Sequence, residues 1–225
     1  MAITYVAGSK SPTVFNTVNT VPAIASAASG DILLAFCSTT DSGSGDSAVS
    51  RSTPPDGTWT RIAKYAILTS RTRVEVYAKT ATGPMAQSVF TWATSHWTAT
   101  FVVAYRGAIL PTTGLATGSQ TTFVDTPAQT VSAGDLVVVS AWSSQFTADF
   151  GANVTKRLTD YVSPRSYVVG DLSTGASERF TATGTSAEVA SSVLLKPFVS
   201  SRPASVMYVK DGAGYKPTTL HRKYP

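Results

Sequence analysis

The sequence consists of short apolar or alternating runs interrupted by Gly, Pro, Asp and Ser, and it shows almost no helical periodicity. Runs of this length between turn signals are typical of strands, whereas an amphipathic helix repeats its apolar residues every three to four positions. The pattern predicts strands at Ile32–Phe36, Arg73–Ala78, Ser88–Trp92, Ala99–Tyr105, Leu136–Ala141, Tyr167–Gly170, Glu178–Thr183 and Val189–Leu195. We therefore expect an all-β chain.

Two of these runs predict different environments. The run Arg73–Ala78 alternates with period two, which indicates a strand with one buried and one solvent-facing side. The run Leu136–Trp142 is continuously apolar and rich in β-branched residues, which favours a strand covered on both sides. Many short strands at this spacing predict an antiparallel, jelly-roll-like β-sandwich.

The two halves of the chain echo each other. Segments beginning at Ala28, Thr60 and Val89 are followed, in the same order and about one hundred residues later, by similar segments beginning at Ser132, Thr155 and Arg179. We interpret this as an internally duplicated strand unit whose copies form one sandwich, each supplying about half of two sheets. Two independent domains are the alternative, since a half of about 100 residues can fold alone.

The charge is distributed unevenly along the 225 residues. Residues 1–195 hold twelve Lys or Arg and twelve Asp or Glu, so the net charge of +5 arises entirely from residues 196–225. The composition also changes after Pro197. The sequence therefore predicts a β-sandwich domain over residues 1–198 and a basic C-terminal arm over residues 199–225.

The arm contains a short apolar run at Val206–Lys210, a turn at 211–214 and further basic residues. An isolated hairpin is marginally stable in water, so we expect the arm to become ordered by docking on a neighbouring subunit or on the sandwich. The residues that we expect to make the contacts are Tyr208, Lys210, Tyr215, Lys216, Arg222 and Lys223. An acidic protein surface is the partner that suits them. A disordered basic end is the alternative, and the neutral sandwich gives no reason to expect nucleic acid or a membrane.

Residues that could carry chemistry are sparse. The two histidines, His96 and His221, have no second histidine at metal-ligand spacing, and the GxSxG, HExxH and Walker A motifs are absent. The lone Cys37 lies in an apolar run and is expected to be a buried, inert thiol. We expect no catalytic residues, no metal and no cofactor, and hence a protein that is not an enzyme.

The carboxylates admit structural explanations. Asp31 and Asp135 each follow a glycine at the entry to a strand, where an aspartate bonds to nearby backbone amides, and we prefer this explanation to a glycosidase pair. The segment Asp41–Asp46 resembles an oxygen-rich calcium loop but lacks its spacing and terminal Glu, so we expect a flexible polar loop.

Aromatic residues offer one further possibility, a platform on which a sugar could stack. Trp92 and Trp142 lie within strand runs and are expected in the core. Trp59 and Trp97 lie near loops, so they are the candidates for contact with a glycan.

Five segments together have a familiar pattern, namely Gly30–Ala35, Pro55–Arg61, Val76–Gly83, Ala104–Ala108 and, last, Tyr208–Pro217. They resemble β-sandwich proteins of tailed phages that infect actinobacteria, of the kind described as minor tail or virion surface proteins. The last is similar to C-terminal YVK-x-G-x-x-W-K-P segments, with Tyr215 at the place of the usual Trp and no second copy after it.

The resemblance implies a non-enzymatic virion structural protein, either a minor tail protein or a capsid decoration protein. Such a protein packs against other virion proteins and forms a symmetric homo-oligomer. It can also face a glycan of the host surface. Because the first residues carry no apolar signal-peptide core, we expect synthesis in the host cytoplasm and localisation to the virion. A carbohydrate-binding module is the alternative function, and an enzyme is the third.

Overall fold

A computed structural model of the chain describes residues 2–40, 52–144, 147–199, 206–211 and 214–219. In chain order the strands are β1 (Thr4–Lys10), β2 (Val14–Val21), β3 (Ile32–Thr40), β4 (Ser52–Thr53), β5 (Thr60–Ile67), β6 (Thr72–Thr80), β7 (Ser88–Arg106), β8 (Leu115–Ser119), β9 (Phe123–Asp125), β10 (Leu136–Ser143), β11 (Ala148–Phe150), β12 (Thr155–Val162), β13 (Arg165–Leu172), β14 (Arg179–Ala182), β15 (Glu188–Leu195), β16 (Val206–Asp211) and β17 (Gly214–Thr219).

Two large antiparallel sheets form the centre of the molecule. Their strand orders are β1-β7-β3-β6-β5 and β12-β13-β10-β15-β8. Side chains from both sheets share one apolar core, whose largest fully buried members include Phe36, Phe101, Trp142 and Tyr167. The predicted antiparallel β-sandwich is therefore confirmed.

A smaller layer covers the outer face of each large sheet. In the first half β2 and β4 pair with the N-terminal part of β7, and in the second half β14 lies between β9 and β11. Each small layer encloses a core of its own, built around Trp59, Phe90 and Trp92 in the first half and Phe150 and Phe180 in the second. The outer faces of the central strands are thereby removed from water.

This double cover decides which strand predictions hold. All of Val137–Ser143 is buried, so the prediction that this run is covered on both sides is confirmed. The prediction of a wet face for Arg73–Ala78 is wrong. Glu75 and Tyr77, which alternate with the core residues Val74 and Val76, are 0% and 5% exposed, because the outer layer covers that side as well.

The two halves have the same strand order. The second large sheet, taken from its other edge, has the order β8-β15-β10-β13-β12. These strands correspond one by one to β1-β7-β3-β6-β5 of the first large sheet. Corresponding strands also carry corresponding irregularities, since β5 bulges between Arg61 and Ala63 and β12 between Lys156 and Leu158. Each half supplies one whole large sheet, not half of both as the sequence suggested. The duplication itself stays a prediction.

One difference between the halves concerns connectivity. The 19-residue strand β7 pairs with β2 and β4 at its start and with β1 and β3 at its end, so it belongs to both layers of the first half. In the second half the corresponding path is divided into β14, in the small sheet, and β15, in the large one.

The large sheets approach each other closely at both edges, where β1 lies beside β12 and β8 beside β5. Each approach has a glycine at its tightest point. A Cβ on Gly8 would lie 2.8 Å from Leu158 Cδ1, and one on Gly118 would lie 2.7 Å from Tyr65 Cε1. Real Cβ contacts are longer than these distances, so both edges depend on the missing side chain.

Candidate binding surfaces

The basic arm is described in its backbone at β16 and β17. The two strands form an antiparallel hairpin in which Tyr208 is opposite Pro217, Val209 opposite Lys216 and Lys210 opposite Tyr215. Among the described residues, neither strand pairs with a strand of the sandwich. The other two predicted contact residues, Arg222 and Lys223, lie outside the described residues, as do His221 and the polar loop Asp41–Asp46.

Trp59 does not fit its predicted role in glycan contact. Its side chain is 6% exposed and packs edge to face against Phe90, with ring centroids 5.7 Å apart. The Lys79 ammonium lies 4.6 Å from the centre of the same ring. A sugar stacks on an open aromatic face, and the ring of Trp59 is enclosed by the core and by Lys79. Trp92 and Trp142 are buried, as predicted.

Trp97 retains an accessible portion. It is half-buried on β7, and its ring packs edge to face against Phe15 with centroids 5.9 Å apart. Phe15 is 52% exposed. The Arg165 guanidinium lies 4.0 Å from the Trp97 ring centre, and burial lowers the pKa of Arg165. The result is an aromatic pair, partly covered by an arginine, between the first half and the β12–β13 turn.

The turn aspartates act as predicted. Asp31 accepts a hydrogen bond from the Ala28 amide at 2.8 Å, and Asp135 accepts one from the Ser132 amide at 2.9 Å. The preceding Gly30 and Gly134 both have φ = 89°, a backbone conformation that glycine adopts without strain. A hydrogen bond from Arg106 further lowers the pKa of Asp31. These carboxylates belong to the turns.

A polar cluster links the two halves at the β1–β12 edge. Tyr105 donates a hydrogen bond to Asp171, and Arg157 Nε donates to the other oxygen of Asp171 at 2.6 Å. The Arg157 guanidinium also lies 4.6 Å from the centre of the Tyr5 ring. Burial raises the pKa of Asp171 and that of Tyr105. Both carboxylate oxygens are engaged by internal donors, which is the arrangement of a structural link.

Lys10 and Asp160 form a second link at this edge, with a nitrogen–oxygen distance of 2.8 Å. The amide and the hydroxyl of Thr13 also donate to Asp160, at 2.8 and 2.7 Å. Burial opposes ionisation of Asp160, but these donors outweigh it and lower its pKa.

An exposed apolar surface was not found by sequence reasoning. It consists of Ile109 (49% exposed), Leu110 (37%), Leu115 (45%), Phe198 (53%) and Val199 (75%), and we call it the exit surface because the chain leaves the sandwich there. A groove of about 370 Å³ lies within it, lined also by Gln129, Leu194 and Lys196. The apolar residues between Gly107 and Leu115 were the available signal, but they lie in a segment that resembles a linker.

Backbone hydrogen bonds hold the exit surface in place. The Ile109 amide donates to the Lys196 carbonyl at 2.9 Å, and the Phe198 amide donates to the Gly107 carbonyl at 2.7 Å. The Gly114 amide donates to Ile62 at 2.9 Å, which fixes the start of β8 against β5. The apolar side chains are thus presented by an ordered backbone, not by a free tail.

The remaining candidates for chemistry are the cysteine, the described histidine and any group of metal-ligating residues. Cys37 and His96 are buried, and no group of three or more His, Cys, Asp or Glu that could hold a metal ion occurs among residues the structure describes. The same portion of the chain contains no helix that is long and apolar enough to cross a membrane. Comparison of the chain with models of protein families, with curated proteins and with solved structures finds no match.

Proposed function

We propose that the protein is a non-enzymatic structural component of a phage virion, a minor tail protein or a capsid decoration protein, which assembles through its C-terminal arm. The resemblance to β-sandwich proteins of tailed phages supports the virion role, and the observation that carries assembly through the arm is the separation of charge between the sandwich and the arm. Residues 1–195 are neutral in sum, and the whole excess of positive charge follows them.

The structure adds a physical reason to look for the partner of the arm in another molecule. Among the sandwich residues that the structure describes, seven carboxylates are in ion pairs with lysines or arginines of the sandwich itself, namely Asp31, Asp56, Glu75, Asp125, Asp149, Asp160 and Asp171. Their charges are compensated where they lie. A basic arm that seeks negative charge is therefore better satisfied by an acidic neighbouring subunit than by its own sandwich.

The first test locates the chain. Immunogold electron microscopy with an antibody to this protein is applied to particles from a lysate of its source. Label on the tail or its tip supports a minor tail protein, and label on the head supports a decoration protein. Particles without label contradict the proposal.

The second test addresses the arm. Reversing charge at Lys210, Lys216, Arg222 and Lys223 together, by substitution with Glu, is expected to prevent incorporation into particles while leaving the sandwich folded. The control reverses Lys64, which lies exposed on β5 of the sandwich, and is expected to be incorporated normally. Normal incorporation of the arm variant contradicts assembly through the arm, and so does normal incorporation after deletion of residues 199–225.

A carbohydrate-binding module is the second candidate, and the pair of Trp97 with the half-exposed Phe15 favours it. Aromatic faces and edges at a surface suit the apolar side of a sugar ring. A glycan array, followed by titration of any hit, tests this candidate. Binding that is lost in Trp97→Ala but retained in Phe123→Ala, whose ring carries Arg179 at 3.8 Å, supports it. Absence of binding at millimolar sugar ends it.

A further inference from the structure

The exit surface concentrates apolar side chains that are exposed to solvent. Five of the large hydrophobic side chains that are exposed in the described chain lie on it, and three of them, Ile109, Leu110 and Leu115, line the groove. Contiguous apolar patches at protein surfaces mark sites of interaction. The groove combines these apolar side chains with the polar residues Thr112, Thr113 and Gln129 and one charged residue, Lys196, so it suits a segment with apolar side chains and free backbone polar groups.

The hairpin of β16 and β17 needs a surface on which to pack. It pairs only with itself among the described strands. A two-stranded hairpin does not bury enough area to be stable in water without a further surface. Its sequence is apolar at Val206, Met207 and Val209, and its charges nearly cancel, with Lys210 and Lys216 against Asp211. The more basic residues, Arg202, Arg222 and Lys223, flank it.

The chain tethers the hairpin within a short reach of the groove. The last residue of the sandwich that the structure describes, Val199, belongs to the exit surface, and β16 begins at Val206. The six residues between them span at most about 20 Å when fully extended. An adjacent donor segment and acceptor groove allow two copies to exchange segments around a two-fold axis, in which each contact is formed twice and no open end remains.

We infer that the groove of the exit surface binds the β16–β17 hairpin of a second copy of this chain, giving a closed dimer with exchanged hairpins. The inference rests on the proposed role of the arm in assembly and names one of its partners. Apolar side chains of the hairpin enter the groove of the second copy. The basic residues of the arm stay available for an acidic subunit of the particle.

Cross-linking of the full chain tests the exchange with residues that are already present. Protein labelled with ¹⁵N and unlabelled protein are unfolded together, refolded as a mixture and treated with an amine-reactive cross-linker. Lys196 lines the groove, and Lys210 and Lys216 lie in the hairpin. Peptides joining a labelled Lys196 to an unlabelled Lys210 or Lys216 are expected. Such peptides only within one isotope, or none at all, overturn the inference.

Two variants of the full chain connect the cross-link to the groove. Leu115→Glu is expected to abolish the mixed cross-link and to raise the dimer dissociation constant, measured by analytical ultracentrifugation, at least tenfold. Ile109→Glu, which lies outside any strand, is expected to do the same and guards against misfolding of the first variant. Leu68→Glu is the control, because Leu68 is 47% exposed against 45% for Leu115 and does not line the groove.

The outcomes separate this inference from the proposed function. A monomer in solution, or a dimer that is unaffected by both groove variants, overturns the exchange. If incorporation into particles still depends on the basic residues of the arm in that case, the proposed function stands. If the exchanged dimer forms but no particle contains the protein, only the proposed function fails.

Discussion

The two halves of the sandwich share a strand order but bury their glutamates differently. Glu75, in the first half, is 0% exposed and lies 2.8 Å from an Arg61 nitrogen and 2.9 Å from an Arg73 nitrogen. Glu188, in the second half, is also 0% exposed, but among the described residues its one hydrogen-bond donor is Ser186, at 3.3 Å, and its Oε2 has no partner there. Equal burial therefore coexists with different electrostatic surroundings. One carboxylate lies beside two arginines, whereas burial raises the pKa of the other.

The largest expected effect on stability comes from removing Glu75 from its ion pairs with Arg61 and Arg73. Glu75→Ala leaves the side chain of Arg73, which is 12% exposed, without its carboxylate. Removing one partner of a buried ion pair costs about 3–5 kcal/mol, so the free energy of unfolding in guanidinium chloride should fall by that amount at pH 7. Asp125→Ala breaks an exposed pair with Arg179 and should change stability by less than about 1 kcal/mol. Equal effects of the two variants would contradict the assigned role of Glu75.

The burial of Glu188 predicts that the stability of the protein depends on pH. Burial raises the pKa of Glu188 from 4.5 to about 7. Between these values the folded state binds more protons than the unfolded state, so the stability that Glu188 contributes is complete below pH 4.5 and is lost as the pH rises to about 7. Glu188→Gln removes this loss, and relative to wild type it should gain about 3 kcal/mol between pH 4 and pH 8. Chemical unfolding at both pH values measures it, and a difference that does not change with pH rejects it.

The glycines at the two edges test how far the likeness of the halves extends. Gly8→Ala and Gly118→Ala both insert a methyl group where the neighbouring side chain is less than 3.0 Å away. Overpacking of this kind costs about 1–3 kcal/mol, and similar losses in thermal unfolding are expected for both variants. Gly57→Ala is the control, because no atom of the described residues lies within 4 Å of the added Cβ. A loss at one edge alone would show that the edges are not equivalent.

The smallest expected effect comes from the Lys10–Asp160 ion pair, which lies at the β1–β12 edge. Lys10→Met removes the ion pair with Asp160, which is partly exposed, so it should cost about 1 kcal/mol in low salt and less in 1 M salt. Because the pKa of Asp160 is lowered on folding, its contribution is present above its unfolded pKa and is lost as the pH falls through the acid range. The variant should therefore flatten the acid limb of the stability profile. An unchanged acid limb would contradict the link.

The architecture was predictable where local pattern and burial agree. The continuous run Leu136–Trp142 predicts a strand covered on both sides, and β10 is one. The turns at Gly30 and Gly134 follow from their Gly-Asp pairs. The run Arg73–Ala78 misleads, because its alternation suggests solvent on one side. The cover comes from elements distant in sequence. Arg73 lies two residues from Glu75 on the same strand, but the second cation, Arg61, is fourteen residues away, and no local pattern reveals that pair.

The candidate surfaces were less predictable, because exposure of a side chain depends on the complete tertiary structure. Trp59 follows a turn in the sequence, but Phe90 and Lys79, which enclose its ring, belong to distant segments. The residues Ile109 and Leu110 resemble a buried apolar stretch of a connection. They lie at the surface because backbone bonds to Lys196 and Phe198 tie that connection to the end of the sandwich.

The unbroken course of β7 through two layers has a consequence for how the first half opens. Its N-terminal part pairs with the outer strands β2 and β4, and its C-terminal part pairs with β1 and β3 at the centre of the large sheet, so one unbroken strand couples the two layers. In native-state hydrogen exchange the amides of both layers should become accessible in one cooperative event. In the second half the break between β14 and β15 lets the outer sheet exchange first, as a separate unit of lower stability.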